Sequence, residues 1–597
     1  MNKENKICQN CKIEFIIEPE DFQFYKKINV PPPTFCPDCR RQRRMFFRNE
    51  RVLYKRPCNA PGHTEEIVST FSPDKKITVY DEKYWWSDAW DPIDYGTPYD
   101  FLVPFFEQYK QLLRRIPLIA LSVTNMVNCS YCNVSEGDKN CLFISASEKN
   151  ENVFYSNRVV QSKDSMDLYI GNYSELCYEL VAATNCYKVL FSQNCSQCSD
   201  SAFLYNCTNC NNCFGCVNLK NKSYYFFNEP YTKEEYEKKI SDFDFRKLSD
   251  VKRVEEKYHE LLHRSIRKYA NILKSTEVTG DNIAYAKNCR DSFDIVGNPS
   301  VEDGRFLNWG GAGIKDVWDS GPGVGISLER AYEVTDTGIQ VADGYFTSVV
   351  YGSYDIHYSI NCHGSKHLFG CYGLRGKEYC ILNKQYTKEE YEILTSKIIQ
   401  HMKDSPYVDT KGRVYAYGEF FPSELSPYAY NEVIAQEYFP LSKDGAIAQG
   451  YIWKDADEKK HIPTMTFENI PDDISGVKDS IVNEIISCGH GGKCVGQCVT
   501  AFKILPQELE FYRRMKLPLP RLCPNCRHEE RLKKRNPMKL WKQKCQCAGK
   551  TSENGIYKNT TTHQHGDGPC LDQFETSYAP ERQEIIYCEN CYQSEVV

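Results

Sequence analysis

The sequence predicts a mainly β protein: a duplicated parallel β-helix-like solenoid with short linker helices, flanked by N- and C-terminal zinc-ribbon or treble-clef modules. Three observations predict it. Paired cysteine knuckles near both ends repeat, with their flanking residues, at a constant offset of 487. Short strand-like blocks recur every 12 residues through the middle of the chain. The last block and the segment after it return at an offset of 155.

Composition narrows the class. The 597 residues, 41% hydrophobic and 26% charged, are enough for several domains with real cores. A net charge of -6 excludes a bulk nucleic-acid binder. No apolar run approaches the ~20 residues that cross a bilayer, so no membrane partner is expected. The start, from Met1 to Cys8, lacks the apolar stretch of a secretory signal, so a cytoplasmic location is expected. Thirty cysteines in such a chain read as metal ligands or buried thiols rather than disulfides.

The first element, residues 1–58, is a zinc-ribbon module. Cys8-x2-Cys11 and Cys36-x2-Cys39 present two thiolate pairs 24 residues apart, which can close a tetrahedron around zinc. Residues 484–545 repeat it with Cys494-x3-Cys498 and Cys523-x2-Cys526. Phe15 and Phe502, Phe24-Tyr25 and Phe511-Tyr512, Pro33 and Pro520, Arg48-Asn49 and Arg535-Asn536, and Cys58 and Cys545 hold the same offset. Metal must supply folding energy, because such a core is too small to stand unaided. Four thiolates leave no open position, which points to structural zinc.

Residues 59–127 read as a Trp-rich degenerate ribbon and linker, and residues 546–597 as a C-terminal ribbon with a third site. Cys545, Cys570, Cys588 and Cys591 are the favoured ligands there, with Cys547, His563 and His565 competing for the middle positions. The N-terminal tract keeps Cys58 but has Asp81 and Tyr84 where Cys588 and Cys591 align, a ribbon that has lost its metal. Two to three structural zinc ions are therefore expected per chain.

The knuckles, with the Phe-Tyr pair and the Cys-Pro-x-Cys-Arg sequence, resemble the probable zinc-ribbon (treble-clef) domain family of bacteria near each end. The full layout, including the tail Glu575–Val597, is similar to large uncharacterised zinc-ribbon proteins of uncultured small-genome bacteria, some of which carry a CaiB/BaiF (CoA-transferase) label. The resemblance implies zinc and a bacterial cytoplasm, and no particular reaction.

Between the ends lie a Cys-rich solenoid (128–230), a helical linker (231–280), a second solenoid (281–385), and a helix with a connecting region (386–483). Cys129, Cys141, Val153, Ser165, Cys177, Val189, Ser201 and Cys213 mark the 12-residue repeat. Two such units make a coil of about 24 residues, the size expected of a parallel β-helix. Each solenoid ends in Tyr-Thr-Lys-Glu-Glu-Tyr, at Tyr231 and Tyr386, whose threonine and acidic pair mark a helix start.

Other motifs are weaker. The run Cys207, Cys210, Cys213 and Cys216 has the steps of an Fe–S site, but small apolar thiols also suit a packing ladder in a narrow solenoid. His259-Glu260-x-x-His263 matches a zinc-hydrolase helix, yet its charged flanks suit an exposed linker. Gly321-x-Gly323-x-Gly325 lacks the strand–turn–helix frame of a dinucleotide site. No catalytic or cofactor-binding residue is assigned, and a non-enzymatic role is favoured.

Charge is unevenly spread. Residues 40–56 hold eight Lys or Arg against one acid, and residues 527–544 hold eight against two. Tracts of this kind after a zinc knuckle contact phosphates in many nucleic-acid binders. The expectation is a scaffold that grips RNA, the ribosome or DNA through exposed basic tracts. The alternatives are a protein-interaction solenoid and a zinc hydrolase using His259, Glu260 and His263.

Overall fold

A computed structural model describes residues 2–323, 325–455, 462–494, 497–549 and 559–596. The described chain is mainly β, with two long parallel sheets, few helices and cysteine clusters toward both termini. The first sheet stacks from Val123–Thr124 to Ser223–Phe226, and the second from Ile272–Leu273 to Glu378–Ile381. Each closes with a short antiparallel strand, Glu229–Pro230 or Lys384–Gln385.

One turn of the first solenoid takes 12 residues, as the registers Glu151↔Lys163, Asn157↔Tyr169, Tyr187↔Ser199 and Asn211↔Ser223 show. This corrects the 24-residue coil: a single 12-residue unit already closes the turn. The cause is a backbone period of three. Asn206, Asn209, Asn212 and Gly215 have φ of 53°, 51°, 50° and 64°, and the residues that follow them, Cys207, Cys210, Cys213 and Cys216, are all buried. The coil thus has four sides of three residues, each side turning one side chain inward. A left-handed corner costs most L-residues about 1–2 kcal/mol and is tolerated best by Gly, then Asn and Asp. Asparagine adds a second benefit, because corner amides bond from turn to turn: Asn128 donates to Asn140 at 2.9 Å, Asn140 to Asn152 at 3.1 Å, and Asn206 to Asn218 at 2.8 Å.

The interior is narrow and takes Cys, Ser, Val and Leu. The Cys207–Cys216 run is the set of inward positions of one turn. Its thiols donate to backbone carbonyls, Cys207 to Tyr205 (3.4 Å) and Cys216 (3.6 Å), and Cys210 to Thr208 (3.5 Å) and Leu219 (3.4 Å). These contacts are those of a packing ladder, and Cys210 also hydrogen-bonds with the thiols of Cys198, Cys207 and Cys213. The one carboxylate drawn into the early turns is satisfied: Asp138 accepts from the Asn150 backbone at 2.7 Å, the Asn150 amide at 2.8 Å and Ser147 at 2.7 Å. In the second solenoid the registers lengthen at Ala286↔Val301, Glu302↔Lys315 and Ile314↔Leu328, then return to 12 residues from Ala342↔Tyr354 onward.

Both solenoids hand over to helices as expected. Thr232 caps Lys233–Ile240 and Thr387 caps Lys388–Asp404, each in a reciprocal box with Glu235 or Glu390. In the Trp-rich segment Trp85 is buried, with Nε1 donating to Pro117 O at 3.2 Å, and Trp90 Nε1 donates to Trp85 O at 2.8 Å, while Trp86 is exposed. Gly323 lies in a solenoid turn where a Cβ would sit 2.4 Å from the Arg48 guanidinium, so close packing accounts for it.

The chain forms two compact units. One comprises Met1–Leu121, Ala270–Lys454 and Met538–Leu540; the other comprises Ser122–Tyr269, Asp455–Pro537 and Trp541–Val597. The N-terminal knuckles therefore belong with the second solenoid, and the C-terminal ones with the first. Internally the units repeat one design. Helix Pro37–Met45 lies on strands Ile314–Ser320 and Leu328–Gly338, and helix Pro524–Lys533 lies on strands Lys163–Asn172 and Tyr178–Thr184.

Candidate metal centres

In the first centre, strand Glu4–Ile7 pairs with Glu14–Ile17, and the turn between them carries Cys8 and Cys11. Cys36 caps helix Pro37–Met45, and Cys39 sits in its first turn. The four Sγ atoms lie within 4.8 Å of one another. Cys11 and Cys36 are 3.6 Å apart, close to the separation of about 3.8 Å that a tetrahedral ion with 2.3 Å bonds requires. The Cys36 backbone N–H donates to Cys8 Sγ at 3.2 Å, and the positive helix start favours thiolates. Hydrogen bonds from Cys36 and Cys39 draw the Cys8 thiol far below its usual range.

The second centre has the same frame with one change of ligand. Its four-thiol group is Cys488, Cys498, Cys523 and Cys526, rather than the expected set with Cys494. Cys488 follows strand Ile486–Ser487 as Cys8 follows its strand, and the Cys523 N–H donates to it at 3.3 Å. Hydrogen bonds from Cys523 and Cys526 draw its thiol down in the same way. Cys494 remains near, 3.6 Å from Cys526, in a group with His490. The physical reason is a longer knuckle: nine residues separate Cys488 from Cys498, where two separate Cys8 from Cys11. Cys488→Ala is expected to lose one ion from the full chain, whereas Cys494→Ala keeps it; elemental analysis of the two purified variants decides, and the reverse order would restore Cys494.

In the C-terminal module, Cys545 follows strand Trp541–Lys544, Cys588 follows Ile585–Tyr587, and Cys591 lies in helix Glu589–Val596. Cys545, Cys570, Cys588 and Cys591 form a buried four-thiol group, with Cys570 and Cys588 3.9 Å apart. Cys547, His563 and His565 stand in a second group that includes Cys591. In the N-terminal tract, by contrast, the Cys58 thiol donates to Asp81 Oδ2 at 3.3 Å, and the Tyr84 ring packs on His63. A hydrogen bond occupies the place where the other copy keeps ligands.

The arginines that follow each knuckle are mostly buried, whereas Lys533, Lys534, Lys539, Lys542 and Lys544 of the second tract are exposed as the sequence suggests. Arg40, Arg41, Arg43, Arg44 and Arg48 are all buried, as are Arg527 and Arg531. Arg40 reaches Asp319 at 2.7 Å; Arg44 reaches Asp319 at 3.2 Å and Glu333 at 3.0 Å; Arg43 reaches Glu333 at 2.8 Å and Glu419 at 3.0 Å. In the other unit Arg527 reaches Asp167 at 2.9 Å, and Arg531 reaches Asp167 at 2.9 Å and Glu179 at 3.3 Å. Burial pushes the Glu333 and Glu179 carboxyls up, and the arginines oppose it. Aromatic packing runs alongside, with Phe24 stacked on Trp318 at 4.1 Å and Tyr512 edge-on to Tyr178 at 5.7 Å. Of the cations after Cys526, Lys533, Lys534, Lys539, Lys542 and Lys544 are exposed; Lys533 pairs with Glu530 at 2.7 Å and Lys534 lies 3.9 Å from Glu179.

His259, Glu260 and His263 are exposed on helix Leu248–Arg264, which buries its opposite side through Val251, Val254 and Tyr258. The two imidazoles are 6.5 Å apart, and His259 lies 3.7 Å from Glu255. Among the described residues no helix is long and apolar enough to cross a membrane. No protein-family model matches the chain, and no curated protein matches it.

Proposed function

We propose that this protein is a non-enzymatic, zinc-stabilised scaffold of the bacterial cytoplasm that binds a protein partner along its solenoid sides. Zinc is the reading because thiolate and imidazole donors in closed tetrahedral groups select it over harder cations. A hairpin knuckle facing a helix-start knuckle supports the resemblance to zinc-ribbon (treble-clef) modules. The observation that carries the choice of partner is the burial of Arg40, Arg44, Arg527 and Arg531 against carboxylates of the chain itself. Arginines consumed in this way release no counterions from a phosphate backbone, so the RNA, ribosome and DNA readings rest on the exposed lysines of the second tract, Lys533, Lys534, Lys539, Lys542 and Lys544. The exposed face of His259 and His263 supports no enclosed site for hydrolysis.

The test is binding of ribosomal RNA fragments and duplex DNA at about 50 mM salt, together with crosslinking in native cells followed by nuclease digestion. The scaffold reading expects no measurable nucleic-acid binding and a protein partner that survives the nuclease. Tight RNA binding that collapses at higher salt, with loss of co-purified protein after digestion, would overturn it.

A further inference from the structure

We infer that the C-terminal module holds a pair of metal ions bridged by the Cys591 thiolate. The module contributes two four-donor groups, and Cys591 belongs to both. Seven side chains, five thiols and two imidazoles, fill the eight positions of two tetrahedra only if one donor is shared. A thiolate can be shared because its sulfur has more than one lone pair; a neutral imidazole nitrogen cannot.

The geometry of the second group is that of ligands around one ion. Cys547 Sγ lies 3.3 Å from His563 Nδ1 and 3.4 Å from His565 Nε2, and His565 Nε2 lies 3.3 Å from Cys591 Sγ. Bonds of about 2.3 Å to sulfur and 2.0 Å to nitrogen place such atoms about 3.5 Å apart in a tetrahedron. Independent contacts prepare the donors. His563 Nε2 faces Glu595 Oε1 at 2.8 Å with both side chains buried, which assigns the proton to Nε2 and frees Nδ1 to bind, the carboxylate–histidine arrangement of metal sites. Asn559 donates to Cys547 Sγ at 3.0 Å and accepts from Tyr587 at 2.9 Å, an amide held toward a sulfur that is itself buried.

Charge favours the pair. Four thiolates around one divalent ion leave two negative charges in a buried cluster; five thiolates and two neutral histidines around two divalent ions leave one. In the low dielectric of a buried module that difference is large.

This inference rests on the reading that the C-terminal cluster binds metal at all. Native mass spectrometry of the zinc-loaded full chain is expected to count four ions: one at each terminal knuckle pair and two here. Cys547→Ala should lose one and Cys591→Ala two. Should Cys591→Ala fail to fold, the wild-type chain loaded with cobalt(II) still answers, because a thiolate bridge couples the two spins and lowers the EPR intensity below that of four isolated ions. Three ions in the wild type, or four with full uncoupled intensity, would overturn the bridged pair while leaving metal binding by the module intact. Fewer than three, with none lost on changing Cys545, would instead remove metal from the module altogether.

Discussion

Cys526→Ser is expected to cost the chain one metal ion and to unfold the module around helix Pro524–Lys533. Structural zinc contributes about 10–16 kcal/mol in finger peptides, and that binding energy is folding energy. Cys526 is one of the four thiols, 3.7 Å from Cys488, so its loss leaves three donors and an open tetrahedron. The effect spreads, because the same helix carries Arg527 and Arg531 to Asp167 and Glu179; releasing it leaves two carboxylates on the solenoid without partners. Cys58→Ser is the contrast. Its thiol donates to Asp81 and accepts from the Ala60 N–H, bonds a serine hydroxyl can make, so the change should stay within about 1 kcal/mol and release no metal. Elemental analysis and thermal melting of both variants provide the check; equal metal loss would show that the Cys58 site still binds an ion.

Much of this architecture is legible in the sequence because it is written twice. The offset of 487 marks the two modules, and the Thr232 and Thr387 caps mark where each solenoid stops. Cys488 escapes that reasoning because its longer knuckle shifts it out of register with Cys8; the signal that finds it is the apolar Ile485-Ile486 pair just before a cysteine and a glycine-rich turn. The size of the coil was also available. Cys129, Cys132, Cys141, Cys177, Cys186, Cys195 and Cys198 are separated only by multiples of three, a spacing neither a flat strand nor a helix produces, and Asn stands at the preceding corner of four of them. The fate of the basic tracts is different. The partners of Arg40 and Arg527 lie 279 and 360 residues away, and nothing local to an arginine-rich helix distinguishes a face awaiting phosphate from one docked on carboxylates. Only the fold supplies that information.

Arg531→Met is expected to destabilise its own unit by about 3–5 kcal/mol, the cost of breaking a buried ion pair from one side. Arg531 is fully buried, bridges Asp167 and Glu179, and also donates to Tyr155 O at 3.2 Å. Methionine fills similar space but leaves Asp167 with Arg527 alone and Glu179 with the more distant Lys534. Arg44→Met, which leaves Asp319 with Arg40 and Glu333 with Arg43, should do the same to the other unit. Hydrogen exchange read by mass spectrometry separates the two: each variant should lose protection in its own solenoid strands, Lys163–Asn172 for one and Leu328–Gly338 for the other. The deficit should also depend on pH with a definite sign. Burial already holds the Glu179 carboxyl above its ordinary value of 4.5, and Arg531 is the largest influence pulling it down; removing the arginine raises it further. A carboxyl whose folded value exceeds its unfolded one binds its proton more tightly in the folded state, so the variant is penalised least at acid pH and progressively more as pH rises above the unfolded value. The deficit relative to wild type should therefore be smaller near pH 5 than near pH 8. Adding Asp167→Asn to Arg531→Met should recover part of the loss at neutral pH, because it removes one of the under-compensated carboxylates while Arg527 keeps Glu508. A deficit that is flat with pH, or no loss of exchange protection in either variant, would mean that these arginines are held by packing alone and that their charge is free for another partner.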